Sequence, residues 1–199
     1  DEDNNTHMRD ANYLALQVED NYPQYKVQRI FLDDYEQITS SAGQEYPDVN
    51  IEINESINRG SLIVNYTGHG NENGLAHEHI LMTDDILSWQ NSDRLPLFMT
   101  ATCEFSRFDN YKKLSAGEIV FLRDNGGGIG LFTTTRLVFS SPNFNLNQNF
   151  YNFVFEKDAE GEFYRLGDIM RNTKNATASG INKRNFTLLG DPALKLNYP

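Results

Sequence analysis

The sequence predicts an α/β fold of three layers, a mostly parallel sheet with helices on both faces. Three observations carry this. Short apolar runs of strand character alternate along the chain with segments whose apolar residues recur at helical spacing. With 39% hydrophobic and 12% aromatic residues, 199 residues can bury a substantial core, which excludes a disordered tract. No repeat, low-complexity segment or linker interrupts the series, so residues 1–199 are expected to fold as a single domain.

The elements follow in order. Residues 8–20, MRDANYLALQVED, place Met8, Ala11, Leu14, Ala15 and Val18 on one helical stripe. VQRIFL (27–32) reads as a first strand, followed by an acidic, Ser- and Gly-containing loop through Gln44. Pro47 opens a helix with Val49, Ile53 and Ile57 facing inward, and Gly60 stops it. LIVNY (62–66) is the second strand. Thr83 suits the N-cap of a short helix through Trp89, with Asp84 and Asp85 complementing the helix dipole in its first turn. Pro96 precedes LFMTATC, a third strand ending on Cys103. SAGEIVFLR (115–123) suits a helix, and GGGIGLFTTT gives a glycine-rich entry to a fourth strand. Residues 146–156 and 164–176 read as helices, and FTLLGDPALKL (186–196) as a turn flanked by apolar segments. The series opens on an acidic burst with no strand before its first helix, so upstream strands and flanking domains of a larger protein are expected.

Charge narrows the function. A formal net charge of -11 without any Lys/Arg run argues against nucleic acid and anionic membrane surfaces, which repel such a chain. No apolar stretch approaches the roughly 20 residues that cross a bilayer, and DEDNNTHMRD has neither the basic region nor the apolar core of a signal peptide. The single cysteine excludes an internal disulfide and makes Cys103 singular.

The chemistry concentrates at two strand tips. LIVNYTGHGNE delivers His69 between two glycines, which permit a sharp turn and close approach of a backbone N–H to something bound. Ligand sites of such sheets lie beyond the carboxyl ends of the strands, where His69 and Cys103 both fall. A thiol is a good nucleophile only as thiolate, and a neighbouring imidazole supplies that state. His69 and Cys103 are 34 residues apart, enough for one loop, one helix and one strand, so adjacent parallel strands bring them side by side. The backbone N–H groups of Gly70 and Cys103 would form the oxyanion hole.

Taken singly, each residue has a plainer reading. A lone cysteine ending an apolar strand is commonly a small core hydrophobe, and Gly-His-Gly commonly a tight loop. Their joint placement favours catalysis. His77, Glu78 and His79 lack the HExxH spacing of a metal site, and no DxDxDG-like loop is present, so no metal is assigned. His7 reads as a surface residue. GGGIG lacks the residues of a phosphate cradle, and no GxSxG serine elbow occurs. Asn4, Asn65, Asn175 and Asn185 head short glycosylation-type triplets that recur by chance.

LIVNYTGHGNE resembles the catalytic-histidine segment of the gingipain-type cysteine peptidases, family C25 of the caspase-like clan. LPLFMTATCEFSRFD resembles their catalytic-cysteine segment, and LLGDPALKL the end of their peptidase domain. The order and separations agree, and the resemblance covers nearly the whole chain. TATCEFSRFD and HMRDAN are more similar to the PorU-type branch, which serves the type IX secretion system. The resemblance implies a caspase-like fold, Cys103 as nucleophile, His69 as general acid/base and no cofactor. It further implies a protein substrate, the C-terminal sorting domain of secreted cargo, cleaved at the bacterial outer surface beside outer-membrane secretion components. A sortase outcome would hand the new carboxyl end to a lipopolysaccharide amine. The acidic residue that confers basic specificity in gingipains would fall within Asp3 to Thr6, which aligns poorly, and a third catalytic carboxylate within Asp1 to Asp3; neither is carried over. The alternative function is a caspase-like scaffold retained as a non-catalytic interaction module.

Overall fold

The computed structural model describes residues 4–41 and 43–199. Helix α1 spans Thr6–Asn21. A short antiparallel hairpin, β1 (Ile38–Ser40) and β2 (Gly43–Glu45), leads to α2 (Pro47–Arg59). Strand β3 (Ile63–Thr67) is followed by three two-residue strands, β4 (Gly70–Asn71), β5 (Gly74–Leu75) and β6 (Leu81–Met82), and by α3 (Thr83–Ser88). Then come β7 (Leu97–Ala101), α4 (Ala116–Leu122), β8 (Gly130–Thr134), α5 (Ser140–Val154), α6 (Leu166–Ala176), α7 (Ile181–Asn185) and β9 (Phe186–Leu189).

The main sheet runs β3-β7-β8-β9; its first two pairings are parallel and β8-β9 is antiparallel. Period-two alternation divides each buried strand between two cores. From β7, Leu97, Met99 and Ala101 join a core with α1, α5 and α6, whereas Phe98 joins the opposite core with α2, α3 and α4. Phe98 and Met99 are both fully buried, and burying a side chain of that size contributes about 1.5–3 kcal/mol. Phe98 stacks on Trp89, ring centroids 6.0 Å apart.

Local chemistry sets the helix ends. Pro47 occupies the first turn of α2, and Gly60, at φ 101°, closes it in a conformation that side chains disfavour. The Asp85 carboxylate accepts the Met82 N–H at 2.7 Å, so Met82, not Thr83, is the N-cap of α3, which starts one position earlier than expected. Ser115 donates both its N–H and its hydroxyl to Glu118, at 2.8 and 2.7 Å, which starts α4.

Other expectations are corrected. Residues 27–32 form no strand; the segment runs as coil into one 3₁₀ turn, Leu32–Asp34. Its apolar alternation is genuine, with Val27 against one core and Ile30 and Leu32 against the other. A strand also needs a backbone partner, and among the described residues the edge strand β3 pairs only with β7. The loop expected through Gln44 contains the β1–β2 hairpin instead. Strand β7 ends at Ala101, two residues short of Cys103, and α5 begins at Ser140, ahead of the expected 146.

Candidate active site

Strands β3 and β7 are neighbours with Thr67 opposite Ala101. The chain leaves both at the same end of the sheet, so His69 and Cys103 each lie two residues beyond a paired terminus. The two loops touch. A Cβ on Gly70 would stand 2.6 Å from the Thr102 hydroxyl oxygen and 3.1 Å from the Gly74 carbonyl oxygen. A Cβ on Gly68 would stand 2.5 Å from the Tyr66 hydroxyl oxygen. Neither glycine has φ in the left-handed region. The expected sharp turn is therefore not their reason: glycine is required here by close approach.

The space at Gly68 lets the Tyr66 phenol fold back and donate to the His69 carbonyl at 2.7 Å. Desolvation pushes the Tyr66 phenol above its ordinary range, which keeps it a donor. The same carbonyl accepts the Ala76 N–H at 2.8 Å. That bond makes the Gly70–Leu75 pair of the β4–β5 ladder a non-hydrogen-bonded one, so the ladder leaves the Gly70 N–H outside its bonds.

Two further histidines meet the His69 ring. His77 stacks on it, centroids 5.0 Å apart and planes 6° apart. His7, from the first turn of α1, meets it edge-on at 5.2 Å. Sequence reasoning placed His7 on the surface and gave His77 no role; the structure draws both to His69. The β4–β5 hairpin, which turns at Glu72 and Asn73, folds residues 74–76 back over 69–71 and so carries His77 to the ring, a placement no local spacing announces. Among the described residues no group of three or more His, Cys, Asp or Glu could hold a metal ion.

Cys103 is half-buried, and its Sγ donates to the Val138 carbonyl at 3.6 Å. The turn beneath it is fixed by hydroxyls: Thr100 donates to Thr133 at 2.8 Å, Ser106 and Thr133 bond at 2.9 Å, and Thr134 donates to the Thr102 carbonyl. Glu104 has φ 50°, a left-handed conformation that costs a non-glycine residue about 1–2 kcal/mol. A charged belt ties the two loops together. Glu72, its side chain 13% exposed, pairs with Arg107 and Lys113, each at 3.0 Å, and accepts from Asn110 at 2.9 Å. Arg107 also pairs with Glu104 at 3.2 Å, and Arg136 forms a bidentate pair with Asp109. Lys113 holds the Glu72 carboxyl below its ordinary range, and Arg136 does the same to Asp109.

The sequence model of peptidase family C25 matches residues 1–197, from α1 through the turn after β9. The chain belongs to peptidase family C25. Solved structures agree on the fold of this C25 chain. It is similar to the Arg-specific cysteine proteinase gingipain R, with a TM-score of 0.65 and 22% identity over 74% of this chain and 36% of that one. The complex of Porphyromonas gingivalis RgpB pro- and mature domains gives 0.63 and 21%, over 74% and 37%. A structure described only as a protease gives 0.60 and 18%, over 70% and 36%. The fold is caspase-like, and the C25 chain spans little more than a third of these structures' length. A search of curated proteins returns no match.

Of the residues the sequence singled out, His69, Gly70 and Cys103 come to one end of the C25 sheet. Asp1 to Asp3 lie outside the described residues. No helix among the described residues is long and apolar enough to cross a membrane. The amides of Asn65 and Asn185, which head two glycosylation-type triplets, are engaged, with Asn147 and with the Leu137 carbonyl.

Proposed function

We propose that this C25 chain is a cysteine endopeptidase whose nucleophile is Cys103 and whose general acid/base is His69. The observation that carries the proposal is the parallel β3–β7 pairing, which delivers both residues to one sheet end. In the resting arrangement the thiol proton is shared with the Val138 carbonyl. As a substrate carbonyl approaches, the imidazole takes that proton and the sulfur forms a C–S bond. The carbonyl oxygen becomes an oxyanion facing the N–H groups of Gly70 and Cys103. Collapse breaks the C–N bond, the imidazolium protonates the departing amine, and a thioester remains on Cys103. Water then releases an acid, or a second amine releases a new amide.

The finer reading is a PorU-type enzyme that removes C-terminal sorting domains from secreted cargo at the bacterial surface and passes the new carboxyl end to a lipopolysaccharide amine. It rests on the likeness of TATCEFSRFD to that branch. Intact mass spectrometry after incubation with a peptidyl chloromethyl ketone, whose chloride leaves as the sulfur forms the C–S bond, should show one adduct on the wild type and none on Cys103→Ala. His69→Ala should slow adduct formation about 10²- to 10⁴-fold, the usual contribution of a general base. A wild type whose Cys103 takes iodoacetamide but no peptidyl ketone would refute the peptidase reading. Incubating a cargo C-terminal peptide with and without an added amine then separates hydrolysis from transfer.

A further inference from the structure

The segment after β8 approaches Cys103 most directly, since its Val138 carbonyl is the thiol's partner. Its backbone is pinned from the other side by α7. The amide of Asn182, 2% exposed, donates to the Phe139 carbonyl at 2.7 Å and accepts the Phe139 N–H at 3.1 Å. Asn185 donates to the Leu137 carbonyl at 2.9 Å. With the main-chain groups of 137 and 139 held toward α7, the alternation of an extended chain turns the intervening Val138 carbonyl toward the sulfur. Leu137 and Phe139 thus flank the thiol's acceptor, and they are 66% and 65% exposed. Two large apolar side chains on a pinned segment beside a nucleophile are a preformed surface for a substrate side chain.

Charge argues for the kind of side chain. On the loop after β7 the carboxylates Glu104 and Asp109 are paired, with Arg107 and with Arg136, and on the facing loop Glu72 pairs with Arg107 and Lys113. An incoming arginine or lysine would have to displace a resident cation to gain any of these three partners. An incoming leucine or phenylalanine would cover exposed apolar surface.

We infer that, on the cysteine-peptidase reading above, Leu137 and Phe139 select substrates with a large apolar side chain on the residue whose carbonyl is attacked, in contrast to the arginine specificity named for the similar gingipain R. Discrimination by apolar contacts typically amounts to roughly 10- to 200-fold. The test uses three peptidyl chloromethyl ketones that differ only in carrying Leu, Arg or Gly at the ketone residue, with the rate of Cys103 modification followed by intact mass. Leu should react at least about 10-fold faster than Arg and than Gly. In the double variant Leu137→Ser/Phe139→Ser, checked for an unchanged melting temperature, the Leu:Gly rate ratio should fall toward unity. An Arg ketone as fast as the Leu ketone, or an unchanged Leu:Gly ratio in the double variant, overturns the specificity but leaves the peptidase reading standing. Reaction of iodoacetamide but of no peptidyl ketone overturns both.

Discussion

Gly70 touches Thr102, and nothing larger than hydrogen fits between them. Gly70→Ala should therefore push the histidine loop away from the cysteine loop and slow ketone labelling of Cys103 by at least about tenfold, the cost of a small misplacement in a positioned site. Combining it with Thr102→Ala, which removes the nearest obstructing atoms, should recover part of that loss; a double variant no faster than the single one counts against the contact as the cause. The ring stacked on His69 makes a second prediction. His77→Ala should lower the limiting rate of acylation several-fold with little change in half-saturating concentration, and His77→Phe, which keeps a flat ring there, should restore most of it. Equal rates for the alanine and phenylalanine variants would exclude a positioning role. His69 and Cys103 were legible in the sequence because each follows an apolar run and so marks a strand tip. His7 and His77 were not, because contacts between α1, β3 and the segment after β5 have no fixed spacing along the chain.

Elements meet the same difficulty one level up. VQRIFL has the composition of a strand and packs partly buried side chains against both cores, yet it lacks a backbone partner, and pairing is a property of two segments. Helices α2 and α4 were readable because their start signals are local: Pro47 for one, the Ser115–Glu118 pair for the other. Between α5 and β3 the decisive contact is polar. The Asn147 amide, fully buried, exchanges hydrogen bonds with Asn65 at 2.7 and 3.2 Å and donates to Thr67 at 3.2 Å. Asn147→Ala strands both partners, at a cost of about 1–3 kcal/mol for an unsatisfied group. For a chain of this length that should lower the melting temperature by roughly 2–12 °C, which calorimetry measures directly. A shift under one degree would mean that water replaces the lost amide.

Across the described residues of the whole molecule, four carboxyl groups sit below their ordinary range in the fold: Glu52 beside Arg59, Glu72 beside Lys113, Asp109 beside Arg136, and Asp168 beside Arg165. A depressed folded-state pKa contributes stability that is complete above the unfolded value, near 4, and is lost as pH falls through the folded one. Urea midpoints should accordingly hold near neutrality and fall on acidification below about pH 4. Glu72→Gln should be less stable at neutral pH and should lose less on acidification than the wild type; parallel curves for the two proteins would remove Glu72 from the account. The three-layer plan was legible at this scale because alternation of strand and helix prescribes it. The antiparallel direction of β9 was not, since α7 intervenes after α6 and returns the chain to the sheet from its opposite end.

Because the His69 carbonyl takes the Ala76 amide proton, the exchange rate of that single amide with deuterated water works as a gauge of the imidazole's mooring. It can be read without substrate, inhibitor or turnover. A variant that frays the small hairpin would announce itself there before any loss of rate was measured.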